Sequence, residues 1–98
     1  MDEADRESLR TAVREALRLI IDPEIGRNIV DLGLIYTIAV KDDGIAQITM
    51  TTTTRFCPAS GYLEEAVRTC VGAVPGVSEA QVTLTYEPPW SPDMMKPL

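Results

Sequence analysis

The chain has 98 residues, 45% of them hydrophobic and 24% charged, with fifteen acidic against nine basic side chains, a formal charge of −6 and no histidine. That length fits one domain, residues 1–98. The acidic balance argues against a nucleic-acid binder, which needs clustered positive charge, and against docking on an anionic membrane surface. Imidazole acid–base catalysis is excluded, and the two cysteines, Cys57 and Cys70, cannot by themselves supply the four ligands of a zinc site, so any metal held through sulfur must be shared with another chain or molecule.

No apolar run approaches the roughly 20 residues that span a bilayer. The first ten residues, MDEADRESLR, are acidic and polar and do not read as a signal peptide. The expectation is a cytoplasmic protein whose thiols are kept reduced.

In chain order, Leu9, Val13, Leu17 and Ile20 recur at helical spacing, which predicts an amphipathic helix from Asp5 to Ile20. Arg6, Arg10, Arg14 and Arg18 make a basic stripe on another face, either solvated beside Glu7 and Glu15 or a docking surface for an acidic protein. DPEIGRNIVDLGLIY, residues 22–36, begins with a proline that ends a helix and carries two glycines; it reads as a structured loop entering a strand. In that strand Leu34, Tyr36, Ile38 and Val40 alternate with Ile35, Thr37 and Ala39. Asp42-Asp43-Gly44 predicts a tight turn, and Ile45 to Thr51 the returning strand.

The threonine-rich run TTTTRF leads to Cys57-Pro58, and Pro58 suits the first position of a helix. Leu63, Ala66, Val67, Cys70, Val71 and Val74 mark that helix's apolar face, which Pro75-Gly76 stops. Ala80, Val82, Leu84 and Tyr86 then alternate with polar residues as a half-buried strand. The tail, residues 88–98, is proline-rich and predicts neither helix nor strand, but Trp90 between its prolines should pack back on the domain or on a partner. The whole reads as an α+β fold, an αββαβ two-layer domain with both helices on one face of a three-stranded mixed sheet.

Cys57 is the residue best placed for chemistry. A helix N-terminus stabilises a thiolate through its unpaired N–H groups and dipole, and Arg55 adds to this. Such a thiolate could ligate iron or attack an electrophile; the alternative is an inert helix cap. Cys70 reads as core packing. Asp22, Glu24 and Asp31 surround an X-Pro turn, where they either make turn and cap hydrogen bonds or bring a carboxylate to Cys57, which would raise the thiol pKa against the helix dipole. Thr51 to Thr54 are either a β-prone strand end or hydroxyl donors to sulfur or carboxylate.

DPEIGRNIVDLGLIY, then MTTTTRFCP, then YEPPWSPDMM together resemble the MIP18 family (DUF59, SufT-like), over Leu9 to Met95. The resemblance implies an iron–sulfur cluster assembly domain-like fold and a role in iron–sulfur protein maturation, as adaptor or transient cluster carrier. It implies functional positions at Asp22, Glu24, Asp31, Thr51, Thr53 and Cys57, with Cys57 the metal ligand, and partners among the iron–sulfur assembly machinery and client apoproteins. The family usually has Pro or Gly where this chain has Arg55-Phe56. Members fused to an ATPase carry a P-loop that is not found here, and the PaaD-like branch, which serves oxygenase maturation, continues into a cysteine-rich tail where this sequence stops at Leu98.

One thiolate cannot hold a four-thiolate cluster. If Cys57 ligates a cluster, the other ligands come from a second copy, a client or a small thiol; a transient cluster shared between chains is the expectation, and a symmetric homodimer with facing cysteines would supply two ligands. Two other readings stand beside this one: a thiol enzyme with Cys57 as nucleophile and Asp22 or Glu24 as base, and a pure interaction module in which Cys57 is structural.

Overall fold

The computed structural model describes residues 2–53 and 60–95. Helix α1 spans Glu3–Leu17, strands β1 and β2 span Ile35–Val40 and Ile45–Met50, helix α2 spans Ser60–Gly72, and strand β3 spans Glu79–Leu84. The sheet order is β1-β2-β3, with β1 antiparallel and β3 parallel to β2. Two helices and a three-stranded mixed sheet are the α+β arrangement that the hydrophobic periodicity predicts.

α1 begins where the Asp2 side chain accepts the Asp5 N–H at 2.8 Å, and Glu3 and Asp5 place negative charge on the positive end of the helix dipole. It ends at Leu17, earlier than the expected Ile20. Beyond the helix, Ile20 and Asp22 form an extended pair with residues 27–29, through Ile29 N–H to Ile20 O at 3.0 Å and Asp22 N–H to Arg27 O at 2.9 Å. This pairing, and not Pro23 alone, takes the chain out of the helix. Three arginines of the basic stripe are met by acids: Arg6 by Glu3 and Asp42, Arg10 by Glu7, and Arg18 by Glu15 and Asp31. Exposed pairs of this kind each contribute about 0–1 kcal/mol, so the stripe is mainly a solvated face.

The core lies between the helices and one face of the sheet. Val13 and Leu17 of α1, Leu63, Val67 and Val71 of α2, and Ala46 and Met50 of β2 are fully buried, as are Ile29, Leu32 and Leu34 from the loop before β1. Truncating any of the leucines to alanine would cost about 2–5 kcal/mol by the usual cavity relation. The opposite sheet face is polar, with Gln47 and Gln81 bonded across β2 and β3 at 3.0 Å.

β1 departs from simple alternation. Ile35 pairs with Met50 and Thr37 with Thr49, so one extra residue, Tyr36, is accommodated between them. This bulge puts Ile35 on the same face as Met50, a placement that strict alternation misses, and it re-aims Tyr36 toward the tail. The Tyr36 hydroxyl donates to Pro88 O at 2.7 Å.

The tail is also more ordered than its prolines suggest. It makes one 3₁₀ turn, Pro92–Met94, and the Trp90 indole donates to Leu32 O at 2.7 Å, which fulfils the expectation that Trp90 packs back. Cys70 also lies where its apolar stripe predicts, half-buried against the core, with its thiol donating to Ala16 O at 3.2 Å. Burial pushes its pKa up, so less of it is thiolate at any given pH. In a Cys57→Ser protein, native alkylation of Cys70 by iodoacetamide should run about tenfold or more slower than in denaturant, since only the thiolate reacts. Equal rates would mean that the thiol is open to solvent.

Candidate functional site

β2 and β3 run parallel, so their carboxyl ends, Met50 and Leu84, lie side by side, and the antiparallel β1 starts there with Ile35 opposite Met50. In open sheets this end of parallel strands is where sites assemble. The three motif segments that stood out in sequence meet here. Thr51 N–H donates to Leu34 O at 2.9 Å, and Thr85 N–H donates to Met50 O at 2.8 Å. The link continues to the first loop, because Leu34 N–H donates to Ile29 O and Ile29 N–H to Ile20 O, both at 3.0 Å. Backbone bonds thus join the loop around Asp22 to the threonine run and the tail.

Asp22 is fully buried. Its Oδ1 accepts the Glu24 N–H at 2.8 Å and the Ile25 N–H at 3.4 Å, closing an Asx turn over Pro23, and Gly26 N–H returns to its carbonyl at 2.8 Å. Its other oxygen, Oδ2, is buried with no hydrogen-bond partner among the described residues. Asp22 therefore makes the turn bonds expected of a structural aspartate and still has one oxygen left over. Such orphans are rare in folded proteins, because a buried acceptor without a donor costs about 1–3 kcal/mol, more for a charged group.

Asp31 belongs to a different network. It accepts from Asn28 Nδ2 at 2.9 Å and from Arg18 Nη1 at 3.3 Å, while its own N–H donates to Asn28 Oδ1 at 2.9 Å. Its role on these contacts is to tie α1 to the loop. Glu24 stands on the exposed tip of the turn. Of the three carboxylates that sequence grouped together, Asp22 and Glu24 share one turn, the first buried and the second exposed, and Asp31 is held by Asn28 and Arg18.

Thr51 and Thr52 are buried and Thr53 is half-buried. Thr52, one of the threonines Thr51 to Thr54 singled out in sequence but not among the positions the family resemblance implies, has its hydroxyl 2.9 Å from that of Tyr86. The pair links the threonine run to the start of the YEPPW segment, and Tyr86 was legible in sequence as the last inward residue of a strand and the first of that motif, with no functional role assigned to it. Cys57, with Arg55 and Pro58, lies outside the described residues. Among the described residues there is no group of three or more His, Cys, Asp or Glu able to hold a metal ion, and no helix is long and apolar enough to cross a membrane.

The family model described as iron–sulfur cluster assembly protein matches residues 10–84. The chain belongs to that family. The family in question is DUF59, with SufT-like maturation factors among its relatives. One relative, the Fe-S protein maturation auxiliary factor of Porphyromonas gingivalis, is 48% identical over 79 residues, covering 81% of this chain and 75% of that protein. Another, the iron-sulfur cluster carrier protein of Mycobacterium bovis, is 37% identical over 78% of this chain, which spans only 20% of that longer protein. Among solved structures, a DUF59 domain from Bacillus anthracis superposes with a TM-score of 0.91 at 35% identity, over 96% of this chain and 90% of that one. The fold and the family membership agree with what the motif segments imply.

Proposed function

We propose that this protein acts in the maturation of iron–sulfur proteins in the cytoplasm, as an adaptor or transient carrier that works through Cys57. The observation that carries this reading is the Asp22 carboxylate, wholly buried with Oδ2 unpartnered among the described residues, at the end of the sheet where the three motif segments converge. A fold keeps such a group at a cost to its stability, which is the signature of a polar group reserved for a transient partner such as a thiol proton or a bound cargo. Membership of the assembly family and the names of the relatives support the same reading.

In this account the cluster is cargo, not a resident cofactor. Cys57 is the ligand, Asp22 and Glu24 act on its protonation, Thr51 and Thr53 shape the surrounding polar wall, and Asp31 braces the loop. Since one thiolate cannot hold a four-thiolate cluster, the remaining ligands come from a second copy, a small thiol or the client that receives it. The assembly machinery and client apoproteins are the expected partners. Anaerobic cluster reconstitution of the wild type and Cys57→Ser is the test, with cluster absorption in the first and none in the second as the expected result.

A further inference from the structure

The sheet has two edges, and they are treated differently. β1 is interrupted by the bulge at Tyr36 and followed at once by Lys41, both devices that discourage pairing with another chain. β3 has neither. Its six residues run in unbroken register with β2 from Glu79 to Leu84, without bulge, proline or lysine. Thr85 N–H donates to Met50 O, so the odd-numbered residues turn their backbone groups toward β2, while Ala80, Val82 and Leu84 turn theirs away from the sheet. Among the described residues nothing pairs with that outer side. The tail does not cover it, because it crosses toward β1, where Tyr36 and Leu32 hold Pro88 and Trp90. The core is thin at the same place. Ala80, Val82 and Leu84 face inward and are only half-buried, whereas Ile38 and Val40 on the other edge strand are buried.

The residues of β3 select the occupant, because the strand is complementary to itself. Laid antiparallel on a second copy with Val82 opposite Val82, the strand sets small Ala80 against large Leu84 and Gln81 against Thr83. Its one charged residue, Glu79, falls opposite Thr85 and not opposite another acid. The outward-facing residues become the hydrogen-bonded pairs, each exchanging both N–H···O bonds. A two-fold axis at the centre of the strand is the closed symmetry of a homodimer. We propose that β3 pairs antiparallel with β3 of a second copy about an axis at Val82, joining the two sheets into one. The carboxyl ends of β2 and β3 then point in opposite directions in the two copies, so each candidate site stays separate. A cluster shared between facing cysteines would need a different contact, and the edge pairing does not depend on the maturation reading.

Sedimentation of the full chain from about 10 µM to about 1 mM tests this, with a weak monomer–dimer equilibrium expected of so small an interface. Added salt should tighten the dimer, since each chain carries a formal charge of −6. Val82→Lys sets like charges against each other at the axis and should weaken the dimer about tenfold or more, and an equimolar mixture of Val82→Lys with Val82→Glu should restore it. Amide exchange reads the register directly. The amides of Ala80, Val82 and Leu84 should exchange more slowly as concentration rises, while those of Gln81 and Thr83, bonded to β2, are protected throughout. No dimer at about 1 mM, a dimer indifferent to Val82→Lys, or exchange at residues 80, 82 and 84 that is independent of concentration would overturn the proposal. If Val82→Lys does not fold, the exchange pattern of the wild type still decides the matter. Cys57→Ser should dimerise like the wild type, so failure of the cysteine reading and failure of the edge pairing are separable.

Discussion

Gly33→Ala is expected to unseat the tail and to cost about 2–4 kcal/mol of stability, about 1–2 from forcing alanine into a left-handed conformation and the rest from lost tail contacts. Gly33 has φ of +80°, and a Cβ there would meet Met94 O at 2.5 Å and Met94 Cβ at 2.9 Å. The tail cannot retreat while keeping its anchors, because Trp90 is bonded to Leu32 O and Tyr36 to Pro88 O on either side of the same glycine. Gly26 provides the control. It has the same φ of +80°, and a Cβ there would meet nothing within 4 Å. Gly26→Ala should therefore cost only the conformational part, about 1–2 kcal/mol. Thermal melts separate the two, since each kcal/mol moves Tm by about 4–8 °C in a domain of this size. Trp90 is the only tryptophan in the chain, so its native emission reports the tail directly. It should shift to the red in Gly33→Ala and not in Gly26→Ala. Equal effects of the two substitutions would show that the close approach to Met94 contributes nothing.

Asp22→Asn is expected to leave stability at or above the wild-type level while reducing client maturation about tenfold or more, the scale on which groups supporting a ligand act. Asparagine keeps an oxygen for the Glu24 and Ile25 amides, which Asp22 Oδ1 now accepts. It replaces the unpartnered Oδ2 by a neutral amide group, which is less costly to bury than a carboxylate oxygen. Asp22→Ala removes the turn bonds too and should cost about 1–2 kcal/mol, as losses of such caps do. A melt on both variants, with recovery of an iron–sulfur client's activity measured alongside, distinguishes the roles. Asp22→Asn as unstable as Asp22→Ala, or fully active, would make Asp22 a turn former and nothing more.

Much of the fold was legible because its signals are local. Period-two and period-3.6 patterns located three strands and two helices, and Asp42-Asp43-Gly44 marked the hairpin. What was missed depends on partners far away in sequence. The end of α1 is set by pairing of residues 20–22 with 27–29, and the displacement of Ile35 by a bulge that serves Tyr36 and the tail. The 3₁₀ turn exists because Trp90 and Tyr36 anchor the chain that leads into it.

The site was legible in part. Asp22, Glu24 and Asp31 attract notice as an acidic group beside a proline, but only the three-dimensional arrangement separates the buried Asp22 from Asp31, which is held by Arg18 and Asn28. The Thr52–Tyr86 pair joins residues distant in the chain, and no spacing rule connects them.

The central claim is that Cys57 holds a cluster in transit. Its most direct measurement is anaerobic reconstitution of the wild type and Cys57→Ser, read by visible absorption and by native mass. The account predicts cluster absorption in the wild type, carried by a species of two chains or of one chain with small thiols, and its loss in Cys57→Ser. A cluster signal retained in Cys57→Ser, or none in either protein, would contradict it.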